Sequence, residues 1–482
     1  MPTHNARAQR DYPKLFVGGR WMAPIDGGRL EVRSPHDRSL TGVAALATPR
    51  DVDAAVATAR KAFDDGPWPR MTPARRQIVI KRFDDLLSRH QNGIADLITA
   101  ENGTPRWFTG WCLAAMPLQT DAFLRAAETL PWEQELPDGH TVVRREPVGV
   151  VAAVIPWNMP NQSALVKVIP ALLAGCTVVL KVAPETPLDG LALGDLFTEA
   201  GLPEGVLSIL PAARATSQYL VGHPDVDKIA FTGSTQTGRT IAAIAGQQLK
   251  RVSLELGGKS ASIVLPDADL DGVTEGMKLL AYGNNGESCV AHSRLLVPRS
   301  RQAEMEDRLR EMVAAIVVGD PFDDNTFIGP LVRADHADRV RSHITAGILG
   351  GARLIAGGPD APAGLGQGCY VKPTLLTDVD NAMPIAREEI FGPVLVLIPY
   401  DTEADAVRIA NDSPYGLGGG VWTSDAAHGL EIARQIRTGT FQINGAAHSL
   451  EAPAGGYRNS GIGREFGLAG LEEYLEYKTI NR

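Results

Sequence analysis

The sequence predicts an α/β fold of two doubly wound units, and three observations carry that reading. The chain has 482 residues, enough for two or three domains that each bury a core. From about residue 148, short apolar strand patterns alternate with helical ones, as in a parallel sheet with helices on both faces. After residue 256 a second alternation of the same kind begins.

The first helices are marked at their starts. Thr48-Pro49 precedes Val52, Ala55, Val56, Ala59 and Phe63, and Thr72-Pro73 precedes Ile78, Phe83 and Leu86. In each, a threonine stands at the cap and a proline at the first helical position. Next, "VGVVAAVIP" reads as a buried strand, "NQSALVKVIPALLAG" as a helix ending in glycine, "CTVVLKV" as a strand and "PLDGLALGDLFTEAG" as a helix. "GVLSIL", "KIAFTG" and "RVSLEL" are further strands. In the second unit the strands are "SRLLVP", "YVKPTLLTDV", "PVLVLIPY" and "GTFQING", with helices near 301–316, 335–350, 402–411 and 425–437. The segment 121–145 and the tail "EEYLEYKTIN" read as strands outside both cores. They are either open to pairing with another subunit or a surface hairpin and a frayed end.

A net charge of −9 disfavours nucleic acid and anionic membrane as partners, since both attract basic surfaces. The N-terminal stretch has no apolar core of signal-peptide length, and the most apolar run is broken by Lys167, Pro170 and Gly175, so no membrane span is expected. Cys112, Cys176, Cys289 and Cys369 are widely scattered, without the pairing of a metal site, and imply a reducing cytoplasm.

Parallel sheets bind ligands beyond the carboxyl ends of their strands. That rule selects Asn158, Lys181, Gly233 and Glu255. "FTGSTQTGR" sets Gly233, Ser234 and Gly238 between a strand and a helix, which suits either a pyrophosphate or an ordinary cap. Lys181 is either snorkelling to solvent or presented to a ligand. Glu255 is either a general base or a solvated strand end. "LELGGKS" resembles the end of a phosphate loop, but Ser253 stands where that loop needs glycine. "EEIFGPVL" offers Glu389 and an aromatic, Phe391, before a Gly-Pro turn: a pocket wall or core packing. Cys289, in the polar, glycine-bearing loop "NNGESCVAHS" early in the second unit, is either a small buried hydrophobe or a nucleophile near a domain cleft.

In their order and spacing, "IPWNMP", "PALLAGCTVVLK", "FTGSTQTG", "LELGGKS", "NNGESC", "EEIFGP", "NDSPYGL" and "GGYRNSGIGRE" resemble the aldehyde dehydrogenase superfamily, in a match running from about residue 15 to the tail. The resemblance implies a Rossmann-type cofactor domain of residues 1–120 and 146–256 and a catalytic domain of residues 257–445. It also implies oligomerisation strands at 121–145 and 466–482, and a segment, 446–465, returning to the active site. Cys289 aligns with the nucleophile, Glu255 with the general base and Asn158 with the oxyanion-hole amide. Lys167 and Glu465 resemble a proton relay. Ile155, Pro156, Trp157, Lys181, Gly233, Ser234, Gly238, Leu256, Glu389 and Phe391 fall at cofactor positions. The implied activity is NAD(P)-dependent oxidation of an aldehyde to an acid through a thiohemiacetal and a thioester, with no metal, in a cytoplasmic homodimer or homotetramer.

Departures from the family pattern sharpen the expectation. Pro184, followed by Glu185, replaces a glutamate that relatives place on the adenine ribose, which leaves NADP open beside NAD. Ala213 and Ser217 stand where relatives have glycines. Met159, Val166 and Ala454 occupy places where many relatives carry tunnel aromatics, so a roomier pocket for a bulky or hydrophobic aldehyde is expected. Two alternatives stand beside this one. A CoA-acylating relative usually lacks the base at Glu255. A non-catalytic relative would have no reason to keep the set.

Overall fold

The computed structural model describes residues 7–482. In the first unit β1 (Val150–Val154), β2 (Thr177–Val182), β3 (Leu207–Pro211), β4 (Lys228–Thr232) and β5 (Arg251–Glu255) form a parallel sheet in the order β5-β4-β1-β2-β3. Three short strands missed by the pattern extend it antiparallel. Leu15–Val17 and Arg20–Met22 lie beyond β3, and Gly461–Ile462 lies beyond β5. Strand residues alternate between two cores: Val151, Ala153, Val178 and Leu180 in one, Val150, Ala152, Val154 and Val179 in the other. Burial on both faces is why these strands read as continuous apolar runs.

Helices cover both faces. α1 (Pro49–Asp64) carries Thr48 at its cap, where Asp51 closes a capping box. α2 (Pro73–Asn102) runs for 30 residues and stops at Gly103, whose φ is +81°. α3 (Arg106–Ala114) and α4 (Met116–Thr129) pack along it. α5 (Pro160–Ala174), α6 (Pro187–Glu199) and α7 (Thr235–Gln248) follow β1, β2 and β4.

The second unit repeats the plan. β6 (Ala261–Val264), β7 (Arg294–Pro298), β8 (Thr374–Thr377), β9 (Val394–Tyr400) and β10 (Gly419–Trp422) are parallel in the order β8-β9-β7-β6-β10. Helix α8 (Ala334–Leu349) packs on this sheet. The other anticipated helices lie at Gln302–Ala314, Glu403–Asn411 and Ala426–Gln435.

The expectation of strands throughout 121–145 and 466–482 needs correction. Residues 121–129 complete α4, because Ala122, Phe123, Ala126 and Ala127 recur at helical spacing and bury one face. Only Glu133–Glu135 and Thr141–Pro147 are extended there. The tail opens with a short helix, Gly467–Glu472, and then Leu475–Asn481 pairs antiparallel with Thr141–Pro147. Among the described residues no helix is long and apolar enough to cross a membrane.

Candidate active site

Strand order reverses between β1 and β4, and the crevice outside the carboxyl ends at such a point is where open α/β sheets bind ligands. Four of the selected residues gather there. Lys181 pairs in register with Val154 on β1, and Glu255 with Thr232 on β4. Asn158 follows β1 directly, and the Gly233 N–H donates to the Glu255 carbonyl at 3.0 Å.

The loop bearing Cys289 enters this crevice from the second unit. Asn284, Asn285 and Gly286 have φ of 52°, 59° and 69°, three successive left-handed residues. Such a run persists only where its surroundings hold it. Thr104 Oγ1 donates to Asn284 Oδ1 at 2.7 Å, and Asn284 Nδ2 donates to the Asn158 and Glu287 carbonyls, each at 3.1 Å. Asn285 Nδ2 donates to the Pro330 carbonyl at 3.0 Å, while Asn285 Oδ1 accepts from Gly329 N at 2.7 Å. Gly286 could not be another residue: a Cβ there would lie 2.3 Å from the Gly392 carbonyl oxygen. The side-chain amide of Asn158 donates to the Glu287 carbonyl at 2.9 Å, so the candidate oxyanion donor is tied to the nucleophile loop. Gly258 lets the "LELGG" turn pass under Cys289, since a Cβ there would be 2.4 Å from the Cys289 carbonyl oxygen.

Cys289 is half-buried. Burial, and then the charges of Glu389 and Glu255, push its thiol up to about 12, so the resting sulfur is neutral. Glu255 is half-buried and its Oε1 has no hydrogen-bond partner among the described residues. Burial raises its carboxyl well above the usual range and Glu465 adds to this, against the opposing charges of Lys167 and Arg464. A carboxyl so placed is a proton acceptor of raised basicity. Behind it, Lys167 on α5 is fully buried and donates to Thr232 Oγ1 at 2.6 Å and to Glu465 Oε1.

The residues expected to hold a dinucleotide fall around the same crevice. Ser234 caps α7, its hydroxyl accepting from Thr237 N at 3.3 Å, and the first turn of the helix faces outward as an anion site requires. Gly238 lies one turn on, buried against Leu256, and so serves packing. Ile155 is tied to β2 by its N–H to the Lys181 carbonyl at 3.1 Å, and Pro156 leads to Trp157. Burial lowers the Lys181 ammonium to about 8, which Glu185 partly offsets. Glu185 itself pairs with Arg333 at 2.8 Å. Glu389 Oε1 accepts from Gly258 N at 3.0 Å, and burial raises its carboxyl to about 7. The Trp157 and Phe391 rings meet edge to face, with centroids 5.5 Å apart. An ammonium, a carboxylate and a helix N-terminus along one crevice suit a molecule with ribose hydroxyls and a pyrophosphate.

Beside Asn158 lies a narrow apolar cleft. Of the three residues expected at a substrate pocket, Met159 lines this cleft, and Val166 and Ala454 do not. Val166 is buried in the core of the first unit, and Ala454 exchanges backbone hydrogen bonds of 2.8 Å with Glu465. The walls are Ile98, Phe108, Cys112, Leu113 and Met116, from α2 to α4. None was singled out in sequence, where their apolar spacing is indistinguishable from core. His336, between Glu287 and Phe391, was missed as well, since a lone histidine in a helix carries no motif.

Comparison with known proteins agrees with this geometry. The family model described as "Aldehyde dehydrogenase family" matches residues 21–480. A geranial dehydrogenase of Castellaniella defragrans is 42% identical, covering 98% of each chain. The crystal structure of a Mycobacterium tuberculosis aldehyde dehydrogenase with NAD+ superposes at a TM-score of 0.95, with 45% identity over 98% of this chain and 99% of that one. A cysteine-to-alanine mutant of aldehyde dehydrogenase C from Pseudomonas syringae, complexed with NAD+ and octanal, superposes at 0.93, with 39% identity over 99% and 97%.

Proposed function

The chain belongs to the aldehyde dehydrogenase family, and from that premise we propose that it oxidises an apolar aldehyde, of medium-chain or terpenoid shape, to the acid. NAD is the proposed oxidant, with NADP as the alternative that Pro184 leaves open. The observation that carries the reading is the tethering of Asn158, beside the apolar cleft, to the pinned loop that carries Cys289. The geranial dehydrogenase and the octanal complex support the same substrate class.

The chemistry follows from the residues. The Cys289 thiol gives its proton to water, and the sulfur attacks the carbonyl carbon: an S–C bond forms as the C=O π pair moves onto oxygen. Charge gathers on the carbonyl oxygen, and the second N–H of the Asn158 amide and the Cys289 backbone N–H are the donors that stabilise it. When bound, NAD supplies the acceptor for the aldehydic hydride. Lys181 and Glu389 would hold its riboses, Gly233 and Ser234 its pyrophosphate, and Trp157 with Phe391 the nicotinamide side. Cys289 is left carrying an acyl thioester. Glu255 takes a proton from water as that water attacks the thioester, and the acid leaves as the thiol is restored. The Lys167–Glu465 pair behind Glu255 offers the proton a way out. Glu255 argues against transfer of the acyl group to CoA, and turnover that depends on CoA would reverse that assignment.

The antiparallel tail sheet supports self-association as a homodimer or homotetramer. Its edge strand Leu475–Asn481 is solvent-facing and shows Tyr477 and Ile480. Four free cysteines fit a cytoplasmic setting.

The test is the appearance of reduced nicotinamide with a series from acetaldehyde through octanal to geranial, with NAD and NADP in parallel. Cys289→Ala is the control. Turnover that favours the longer aldehydes and vanishes in the control is expected. A strong preference for acetaldehyde would reject the substrate class.

A further inference from the structure

His336, on the first turn of α8, stands where three segments of the site converge. Its Nε2 donates to the Phe391 carbonyl at 2.7 Å and lies 3.4 Å from Glu287 Oε1. Its ring meets Trp157 and Phe391 edge to face, at 5.5 and 6.1 Å. One imidazole thus touches the segment after β1, the nucleophile loop and the cofactor loop.

Arg339, one turn on, extends the grip. Its Nη2 donates to the Ile390 carbonyl at 2.7 Å and its Nη1 to the Glu389 carbonyl at 3.4 Å. Three consecutive carbonyls, 389 to 391, are therefore each held from α8. The hold has something to resist: Phe391 has φ of 60°, a region that a bulky residue occupies only under constraint. Glu389, two residues back, projects its carboxylate to Gly258.

The proton on His336 is placed by its surroundings. Arg339 Nη2 points at Nδ1, 3.4 Å away, so the ring hydrogen sits on Nε2 and faces the Phe391 carbonyl. Burial, with Arg339 adding to it, lowers the imidazole to about 4 and keeps the ring neutral. Glu287 is fully buried and its carboxyl is raised by that burial, so no ion pair is needed there.

We propose that His336 is a positioning residue that sets the cofactor loop against the nucleophile loop. Its single Nε2–H, donated to the Phe391 carbonyl while the ring lies against Glu287, fixes where Glu389 and Phe391 stand relative to Cys289. The proposal rests on reading Glu389 and Phe391 as cofactor groups.

The test compares the full-length enzyme with His336→Leu, which removes the N–H, and His336→Gln, which keeps an N–H donor. In the cofactor-free proteins, amide hydrogen exchange over 284–289 and 389–392 is expected to quicken about tenfold in the leucine variant, the worth of one hydrogen bond. It should return towards wild type in the glutamine variant. The KM for NAD should rise by a similar factor in His336→Leu while kcat changes far less, with glutamine again restoring it. Unchanged exchange in both segments, or a leucine variant with wild-type KM, overturns the proposal. Should His336→Leu fail to fold, Arg339→Met, which releases the Ile390 carbonyl, is read in the same way. A wild-type enzyme that does not bind NAD would instead remove the proposed function, and the exchange measurement would still decide the role of His336.

Discussion

The side-chain amide of Asn158 donates to the main-chain carbonyl of Glu287 at 2.9 Å, two residues ahead of Cys289. One amide hydrogen is thereby spent on fixing the loop, and the other is the hydrogen proposed for the substrate oxygen. Asn158→Ala should lower kcat by about 10²–10³-fold, as loss of one oxyanion donor does elsewhere. Stopped-flow kinetics on the best aldehyde would check this, and a tenfold loss or less would assign Asn158 to loop structure alone.

Glu255 ends β5 with a carboxyl oxygen that has no hydrogen-bond partner among the described residues. If its task is to activate water for thioester release, Glu255→Gln should keep a rapid first turnover and lose steady turnover by about 10²–10⁴-fold. A burst of reduced nicotinamide matching the enzyme concentration is the expected record. Loss of the burst itself would place Glu255 before the thioester, at activation of Cys289.

The thiol of Cys289, held up to about 12, should alkylate as a group far below its pKa. In the cofactor-free enzyme the thiolate fraction then rises about tenfold for each pH unit between roughly 7 and 9. Iodoacetamide inactivation rates measured over that span should climb without a plateau. A plateau near pH 8 would mean that a neighbouring cation stabilises the thiolate.

Leu113 lines the apolar cleft and is 4% exposed. Leu113→Trp should fill part of it. The kcat/KM for geranial is expected to fall by about tenfold to a hundredfold, the range for steric discrimination in a hydrophobic pocket, with acetaldehyde little affected. Equal losses for both aldehydes would show that the long substrate enters by another route.

Glu101 and Asp189 are buried together at the start of α6. Glu101 accepts from the Leu188 and Asp189 N–H groups at 2.7 and 3.0 Å, and Asn161 Nδ2 donates to Asp189 at 3.4 Å. Burial raises the Asp189 carboxyl to about 7, so the folded protein keeps its proton up to about neutral pH and resists ionising above it. An acid whose folded pKa lies above its unfolded value, about 3.9, weakens the fold as pH rises past that unfolded value. Asp189→Asn keeps the acceptor and removes the charge. Its melting temperature should exceed wild type by about 2–4 °C near pH 8, and by less near pH 5. Calorimetry showing a loss at both values would mean that Asp189 is ionised in the fold.

Both sheets, the long helices and the crevice were legible because each rests on short-range pattern. Unbroken apolar strands, Thr-Pro helix starts and glycine stops all lie within a few residues of what they specify. Glu255 and Asn158 were legible because they lie at or past the ends of such strands, and Cys289 because it sits in a polar, glycine-bearing loop just before one. Cys112, Leu113 and Met116 were not, because a helix face lining a cleft has the same period as one lining a core. The small strands at 15–22 and 461–462 escaped since each is too short for a period and exists only through its partner. His336 and Arg339 hold the carbonyls of residues 389–391 from fifty or more residues away in sequence, in contacts that only the folded chain brings about.

The pinned run Asn284, Asn285 and Gly286 has a further consequence, for ageing. An asparagine followed by glycine is the dipeptide most prone to cyclise and lose its amide, because the next backbone nitrogen can reach the side-chain carbonyl. In the fold, Asn285 is buried, its oxygen held by Gly329 and its nitrogen by the Gly103 and Pro330 carbonyls, and that attack is blocked. In the unfolded chain nothing blocks it. An aspartate formed there would turn acceptor oxygens towards two carbonyls on refolding and spoil the loop that carries the nucleophile. Heat inactivation of this enzyme therefore has a chemical clock at position 285, which runs only while the chain is open.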